Sequence, residues 1–192
     1  MTGGDALNIY DFDKTIFYPD SSATFFRYCL RTIPSAVLPT LPRTAAAALR
    51  YRAGKLGAKE LKEQIFSYLA AVGDIDALVA DFWKKNAWRI GDWYLRQKRD
   101  DDLIISASPR FLLAPICEKL GVSLIATEMD PHTGKITGAN CRDVEKPKRF
   151  RACYPDARVD RFYSDSLSDA PMAELADEAF LVKKHRLSPW PI

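Results

Sequence analysis

Two aspartates separated by one residue, Asp11 and Asp13, follow a short apolar segment near the start of the chain. A carboxylate can attack a phosphorus atom and form an aspartyl-phosphate, which divides one difficult hydrolysis into two easier steps. The second carboxylate projects to the same side of an extended chain, because side chains alternate there. Asp13 can then protonate the leaving oxygen and later deprotonate the attacking water. The pair predicts phosphate ester hydrolysis, with Asp11 as nucleophile and Asp13 as general acid and base.

A transferring phosphoryl group needs positive or hydrogen-bonding partners, and two further parts of the chain can supply them. Ser106 and the amide of Ala107 lie at the predicted start of a helix, where an anionic phosphate binds well. Lys146 offers a point charge for the phosphate and for the nucleophile. Lys148 lies two residues further along, so the choice between the two lysines stays open.

Magnesium is the cofactor that these residue types predict. Mg²⁺ binds oxygen atoms, usually from a few carboxylates together with waters and the substrate phosphate. Asp11 and Asp165 can supply the carboxylates, and the main-chain carbonyl of Asp13 can supply a third ligand.

Each of these features also has a simpler explanation when it is taken alone. An Asp-x-Asp pair is common in solvated turns, and the later acids Asp165 and Asp169 suit an exposed carboxylate and a helix cap. Ser106 and Ser108 suit a turn and a cap, and Lys146 lies in a charged segment that suits a solvated loop. Their order, each near the predicted end of a strand, favours the catalytic interpretation.

Short apolar, β-prone segments precede the polar residues. They span residues 6–10, 103–105, 122–126, 161–163 and 179–182. Because they lack clean alternation, they predict a parallel sheet covered on both faces. Open α/β sheets bind ligands beyond the carboxyl ends of their strands. We therefore expect a Rossmann-like doubly wound α/β fold in which the polar clusters converge at that edge.

Helices are predicted between the strands. Ser108 and Asp169 suit N-caps, each with a proline shortly after it. The first helix is expected to kink or restart at Pro115, and the second to end near Asp177. Residues 127–141 predict a β-hairpin excursion.

The region between the first and second strands has helical periodicity almost throughout. One apolar stripe contains Phe25, Cys29 and Ile33. An insert of about 80 residues is too long for a simple connection. We expect a core domain of residues 1–17 and 102–192, with a helical cap domain of residues 18–101 over the carboxyl edge of the sheet.

Composition restricts the class of protein. The 192 residues, 47% hydrophobic and 28% charged, suffice for one globular core and a small insert. A net charge of +3 without a dense basic stripe argues against nucleic acid as a partner. The four cysteines are far apart, residues 1–5 lack signal-peptide features, and no segment is long and apolar enough to span a bilayer. We expect a cytoplasmic protein with reduced thiols, whose oligomeric state the sequence does not indicate.

The motifs, in this order, resemble those of the haloacid dehalogenase superfamily, and within it subfamily IB, the phosphoserine phosphatase-like branch with a helical cap. The resemblance covers almost the whole chain and rests on YDFDKT, IISAS, the lysine of a Glu-Lys pair and YSDSLSD. It implies a Mg²⁺-dependent phosphatase that acts on a small phosphorylated metabolite through an aspartyl-phosphate. It also places Asp165 and Asp169, together with Asp11 and Asp13, at the metal site.

The resemblance is weaker where it concerns the substrate. Amino-acid phosphatases of this branch have Ser-Gly-Gly where this chain has Ser106-Ala107-Ser108, and often asparagine where it has Ser168. They also carry an acidic residue near Asp20 that meets the substrate amine, although capping of the next helix explains Asp20 equally well. Arg27, one helical face further on, suits either an anionic substrate group or solvent.

Other functions stay open. The apolar segment 25–49, with Arg27, Arg31, Arg43 and Arg50, resembles the caps of bacterial phosphatidylglycerophosphatases. A lipid phosphate is therefore an alternative substrate, with peripheral contact to an anionic membrane surface, although cap packing with ordinary surface charge is the simpler explanation. A phosphotransferase or a phosphonate reaction on the same scaffold and a non-catalytic binding protein are further alternatives. The complete set of acids, serine and lysine argues against the last.

Overall fold

The structure is a computed structural model that describes residues 6–191. Residues 1–5, on which the signal-peptide prediction rests, and Ile192 lie outside the described part. One sheet crosses the molecule. Its strands are β1 (Ala6–Tyr10), β2 (Leu103–Pro109), β3 (Ser123–Thr127), β4 (Arg158–Ser164), β5 (Ala176–Lys183) and β6 (Arg186–Pro189).

The order of the strands makes β1 the switch point of the sheet. The order is β3-β2-β1-β4-β5-β6, and the pairs from β3 to β5 are all parallel. After β1 the chain builds one side of the sheet with β2 and β3, and it then crosses to build the other side with β4 and β5. Ligands of doubly wound sheets bind where the order reverses in this way, and Asp11 directly follows β1.

The predicted doubly wound, parallel sheet is confirmed, with one addition. The strand β6 runs antiparallel to β5 at the edge and was not predicted. Its four residues are all exposed, so no buried apolar face marks it in the sequence.

A helical insertion joins β1 to β2, as the periodicity predicts. Its helices are α1 (Ser21–Thr32), α2 (Pro34–Val37), α3 (Leu41–Arg52), α4 (Ala58–Ile65), α5 (Ile75–Asn86) and α6 (Asp92–Gln97). Later in the chain lie α7 (Arg110–Leu120), α8 (Glu145–Cys153) and α9 (Ala170–Ala173). The domain boundaries at residues 17/18 and 101/102 stay a prediction.

Two helices of the insertion begin at aspartate caps. Asp20 Oδ1 accepts a hydrogen bond from the amide of Ala23 at 2.8 Å, and Asp74 Oδ1 accepts one from Ala77 at 2.9 Å. Such bonds satisfy amides that the first helical turn leaves without partners. Capping is therefore the observed local role of Asp20.

Several local predictions for the core elements are wrong. Ser108 does not cap α7, because it lies within β2 and its hydroxyl bonds to Asp13. The helix after Asp169 ends at Ala173 instead of near Asp177, and no side-chain bond caps it. Pro115 lies inside a continuous α7, so the helix does not restart there, and the alternative of a kink stays a prediction. The hairpin excursion predicted over residues 127–141 is present in a short form, in which Met129 and Ile136 form an antiparallel bridge and the amide of Thr137 donates to the Glu128 carbonyl at 2.9 Å.

The sheet separates two apolar layers. In β1, Leu7 and Ile9 face the layer that contains Phe150 of α8, whereas Tyr10 faces the layer that contains the insertion. This alternation follows from the two-residue period of a strand. Because both faces are covered, the central strands are mostly apolar on both sides, although Asn8 is buried in the middle of β1.

Trp83 of α5 connects the insertion with the core through packing and a hydrogen bond. Its side chain is buried, its ring lies edge-on to those of Phe12 and Phe17 at centroid distances of 5.9 and 5.3 Å, and its Nε1 donates to the carbonyl of Leu112 at 2.6 Å. Phe12 lies between the two aspartates of the first motif. The same packing therefore holds the insertion and the segment that carries Asp11 and Asp13.

No helix of residues 6–191 has the length and apolar character needed to cross a membrane. The four cysteines are free, three of them buried and Cys153 exposed. The reduced state of these thiols and the cytoplasmic location stay predictions.

We expect Trp83→Phe to lower the free energy of unfolding by about 1–3 kcal/mol, because the buried carbonyl of Leu112 loses its hydrogen-bond partner. Trp88→Phe is the matched control, since Trp88 is 73% exposed and water can replace its bond to the Lys85 carbonyl. The control is expected to change stability by less than about 0.5 kcal/mol. Urea unfolding measures both, and equal losses would contradict the role of Trp83.

Candidate active site

The end of β1 fixes the position of Asp11. The amide of Asp11 donates to the carbonyl of Tyr163 at 2.8 Å and so extends the contact between β1 and β4 by one residue. The chain then reverses at Lys14, whose φ of 60° lies in the left-handed region, and the Lys14 amide donates to the Phe17 carbonyl at 2.7 Å. Thr15 Oγ1 donates to Asp11 Oδ2 at 3.3 Å. This turn holds the Asp11 side chain, which is 10% exposed, at the carboxyl edge of the sheet.

Lys146 places its ammonium between two buried carboxylates. Its Nζ donates to Asp11 Oδ1 and to Asp169 Oδ2, at 2.7 Å in each case, and its side chain is 2% exposed. Ser164 Oγ also donates to Asp169 Oδ2 at 2.7 Å. Burial raises the pKa of Asp11 to about 6, although the ammonium opposes this. Burial also disfavours the charged form of Lys146, but the two carboxylates outweigh it and hold the lysine pKa above its usual range.

The structure separates the two candidate lysines. Lys148 is 77% exposed at its side chain and pairs at 3.6 Å with Glu145, one turn earlier on α8. Two residues along a helix correspond to a rotation of about 200°, so Lys146 and Lys148 lie on opposite faces of α8. Lys146 is therefore the lysine that contacts Asp11.

The Asp13 carboxylate is held on the side of the insertion. Its Oδ1 accepts from the amide of Ser21, the first residue of α1, at 2.5 Å, and its Oδ2 accepts from the hydroxyl of Ser108. Burial is the main cause that raises the pKa of Asp13 to about 7, and the nearby charge of Asp20 adds to it. A carboxyl group that titrates near neutral pH can both donate and accept a proton.

A cavity of about 270 Å³ collects the predicted residues; we refer to it as the catalytic pocket. Its lining includes Asp11, Asp13, Asp20, Ser106, Ala107, Lys146, Asp165 and Asp169. Ser106 and Ala107 lie on β2 and not, as predicted, at a helix start, because α7 begins only at Arg110. Ser106 Oγ accepts from the amide of Ser108 at 3.1 Å. Arg27 does not line this pocket and borders a second cavity next to it.

The donor set of the catalytic pocket fits Mg²⁺ in part. Within residues 6–191, no group of three or more His, Cys, Asp or Glu side chains is arranged to hold a metal. However, Mg²⁺ is often held by one or two carboxylates and keeps several waters. Asp165 lines the pocket together with Asp11, and its negative charge helps to raise the pKa of Asp11. A bound cation would reduce this repulsion between the two carboxylates.

Two of the predicted metal residues have other partners in the structure. The Asp13 carboxylate accepts two hydrogen bonds, which leaves its main-chain carbonyl as the predicted ligand. Oδ2 of Asp169 accepts from Lys146 and Ser164. We therefore expect Asp11, Asp165 and the Asp13 carbonyl to hold the metal, and Asp169 to position Lys146.

Lys62 is a further charged residue at the pocket, and the sequence did not indicate it. From α4 its Nζ reaches the core, where it donates to the Ala107 carbonyl at 2.7 Å and to Asn140 Oδ1 at 2.8 Å. Burial lowers the pKa of Lys62 to about 8. In the sequence, Lys62 is one of several lysines on an amphipathic helix, and only its hydrogen bonds to Ala107 and Asn140 in the structure distinguish it.

Comparison with known proteins agrees with this fold. The family model of haloacid dehalogenase-like hydrolases matches residues 9–174. Protein CicA of Caulobacter vibrioides is 30% identical, over 90% of this chain and 83% of its own length. A protein of unknown function from Bordetella pertussis Tohama I superposes with a TM-score of 0.76 at 24% identity, covering 92% of this chain and 89% of its own.

A phosphoserine phosphatase that carries an analogue of its phospho-aspartyl intermediate has the same fold. It superposes with a TM-score of 0.56 at 16% identity, covering 92% of this chain and 85% of its own. At this identity the likeness concerns the fold alone.

We expect Lys146→Met to lower the free energy of unfolding by about 3–5 kcal/mol at neutral pH without added metal, because it leaves Asp11 and Asp169 buried without a cation. The loss should become smaller towards pH 5. Without the Lys146 ammonium the pKa of the buried Asp11 carboxyl group rises further, so this group binds a proton and becomes neutral at the lower pH. Urea unfolding between pH 7 and pH 5 measures the loss of stability. Lys148→Met is the matched control and should leave the unfolding midpoint nearly unchanged. Similar losses in the two variants would contradict the placement of Lys146.

Proposed function

Because this chain belongs to the haloacid dehalogenase-like hydrolase family, we propose that it is a Mg²⁺-dependent phosphatase that hydrolyses a phosphate monoester through an aspartyl-phosphate on Asp11. The observation that carries the proposal is the pairing of Asp11 with Lys146, in a pocket that also contains the Asp13 carboxyl group. A carboxylate next to a buried ammonium stays available as an anion, and the ammonium can also receive the negative charge of the phosphate.

The first half of the reaction assigns one task to each residue. A carboxylate oxygen of Asp11 forms a bond to phosphorus while the bond from phosphorus to the ester oxygen breaks. Asp13, with a pKa near 7, gives its proton to the leaving oxygen. Lys146, the Ser106 hydroxyl and the amide of Ala107 bind the phosphoryl oxygens. Mg²⁺ held by Asp11, Asp165 and the Asp13 carbonyl would neutralise further negative charge on these oxygens.

The second half returns the enzyme to its starting state. Asp13 is now a carboxylate and accepts a proton from a water molecule. The water oxygen attacks phosphorus, and the bond to the Asp11 carboxylate breaks, which releases inorganic phosphate. Since Ser21 and Ser108 hold both oxygens of Asp13, the group can exchange its proton without changing its place.

We expect Asp11→Asn to lower the rate of hydrolysis of p-nitrophenyl phosphate by at least about 10³-fold, because the amide cannot form the covalent intermediate. Removal of Mg²⁺ with EDTA should have a similar effect and be reversed by added Mg²⁺. Asp76→Asn is the control, since Asp76 is an exposed residue of α5. Free phosphate should appear without any added acceptor alcohol, which distinguishes a phosphatase from a phosphotransferase. Full activity of Asp11→Asn would refute the proposal.

For the substrate, a small phosphorylated metabolite is the first candidate and a lipid phosphate is the second. One observation favours the second, an exposed apolar stripe on the outer face of α3. Its members recur at helical spacing and are all exposed: Pro42, Ala45, Ala46, Leu49 and Ala53. By the same spacing, Arg43 and Arg50 border the stripe on one side and Arg52 on the other. Residues 21–59 contain no acidic residue, so this face suits an anionic lipid surface.

We expect the protein to sediment with vesicles that contain phosphatidylglycerol and not with neutral phosphatidylcholine vesicles. Leu49→Glu should weaken this binding about fivefold or more, because it puts a negative charge at the centre of the stripe. Leu95→Glu is the matched control, since Leu95 is an exposed leucine of α6. Failure of the unsubstituted protein to bind anionic vesicles would exclude the membrane contact.

A further inference from the structure

A second and larger cavity opens beside the catalytic pocket, between the insertion and the core. Its volume is about 620 Å³, and we refer to it as the insertion cavity. Most of its wall is apolar and comes from α1, α3, α4 and the turn after α4: Ala23, Phe26, Tyr51, Ala58, Leu61, Ile65 and Phe66. A cavity of this size and lining can enclose most of a small organic group.

The two cavities share part of their lining. The residues common to both are Asp20, Ser22, Lys62, Ala107 and Arg142. A phosphate ester bound with its phosphoryl group in the catalytic pocket can therefore extend across this boundary into the insertion cavity. The charged members of the shared lining are Asp20, Lys62 and Arg142, whereas Phe26, Leu61 and Ile65 line only the insertion cavity.

The position of Asp13 indicates which part of the substrate crosses the boundary. A general acid must lie within hydrogen-bond reach of the oxygen that it protonates. The Asp13 carboxylate accepts a hydrogen bond from the amide of Ser21, and Ser22, the next residue, lines both cavities. An ester oxygen that receives its proton from Asp13 would therefore lie next to this boundary, and the single carbon atom bonded to it would point towards the insertion cavity.

We propose that the insertion cavity is the leaving-group site of this enzyme and that it takes the apolar alcohol part of a phosphate monoester. The inference rests on the proposed phosphatase function and narrows its substrate class. The side chains of Phe26, Leu61 and Ile65 cannot compensate for the ammonium and the carboxylate of a substrate such as phosphoserine, so both charges would depend on the few charged residues of the lining, Asp20, Arg27, Lys62 and Arg142. An alkyl or aryl group gains from burial against the same apolar side chains.

Lys62 connects the wall of the insertion cavity with the proposed phosphate site by hydrogen bonds. Two of its three N–H groups are used by the Ala107 carbonyl and the Asn140 side chain, which fixes α4, one wall of the insertion cavity, against β2. Ala107 also belongs to the proposed phosphate site. The contact therefore fixes the position of the apolar wall relative to the proposed phosphate site, so a displacement of one would also displace the other.

The decisive experiment compares phosphate monoesters that differ only in chain length. We expect kcat/KM to rise about two- to fourfold for each methylene from ethyl to hexyl phosphate, because each buried methylene contributes a nearly constant free energy. All esters are used below their critical micelle concentrations. Phosphoserine and glycerol phosphate should be poorer substrates than butyl phosphate. No dependence on chain length, or a preference for phosphoserine, would overturn the proposal.

Two variants test whether this dependence arises in the insertion cavity. Leu61→Asn places a polar amide in the wall and should reduce the increase of kcat/KM with chain length. Ala58→Leu fills part of the cavity and should shorten the longest alkyl chain that the enzyme accepts. Leu95→Asn, an exposed leucine outside both cavities, is the control and should keep the normal increase. An unchanged increase in Leu61→Asn and Ala58→Leu, in folded protein, would place the apolar group elsewhere.

A binding measurement separates this inference from the catalytic proposal. Hexylphosphonate has a carbon–phosphorus bond that the enzyme cannot hydrolyse in the proposed way, and its affinity for Asp11→Asn can be measured by calorimetry. Binding at least tenfold tighter than that of ethylphosphonate supports the cavity even if Asp11→Asn turns out to be active. Equal affinities would refute it even if Asp11 is the nucleophile.

The same apolar ester chemistry occurs in soluble alkyl or aryl phosphates and in lipid phosphates. Monomeric hexyl phosphate and phosphatidic acid in phosphatidylcholine vesicles distinguish the two sources. A higher kcat/KM for either substrate supports the leaving-group site and identifies the source of the apolar ester. If the protein hydrolyses ethyl phosphate but neither of these two substrates, the site is excluded.

Discussion

The buried contact of Lys146 with Asp11 and Asp169 is the interaction on which the rest of the pocket depends. Buried carboxylates remain charged only when a cation or several hydrogen bonds compensate for the lost water. One ammonium between two carboxylates provides this compensation and still leaves negative charge in excess. The excess, together with Asp165, suits a divalent cation, while the lysine suits the phosphate that arrives with it.

The fold has to bring three distant parts of the chain to this contact. Asp11 follows the central strand β1, Asp169 follows β4 after a short turn, and Lys146 belongs to the first turn of α8. The carboxyl ends of neighbouring parallel strands lie at one edge, which explains how residues more than 100 positions apart come within hydrogen-bond distance. The helical insertion closes over this edge and is held there by the packing of Trp83 against Phe12.

The molecule separates two tasks in two adjoining cavities. The polar catalytic pocket contains the groups that would break the ester bond, and its residues lie within the part of the chain that the family model matches. The larger insertion cavity is lined mainly by helices of the insertion, and we propose that its apolar wall selects the group attached to the phosphate. This arrangement explains why the motifs indicate a reaction class and leave the substrate open. The substrate is recognised by side chains whose spacing in the sequence resembles that of any amphipathic helix.

The reaction class, the doubly wound sheet and the helical insertion could be predicted from the amino-acid sequence, because strand and helix periodicity and the spacing of the acids are local properties of the chain. The choice between Lys146 and Lys148 required the packed molecule, since it depends on which face of α8 meets the sheet. The tertiary structure also reassigned Ser108 and Asp169, which look like helix caps in sequence and instead bond to Asp13 and Lys146. A local pattern cannot reveal such partners, because a buried polar group bonds to whatever group the closed sheet and the packed insertion bring next to it.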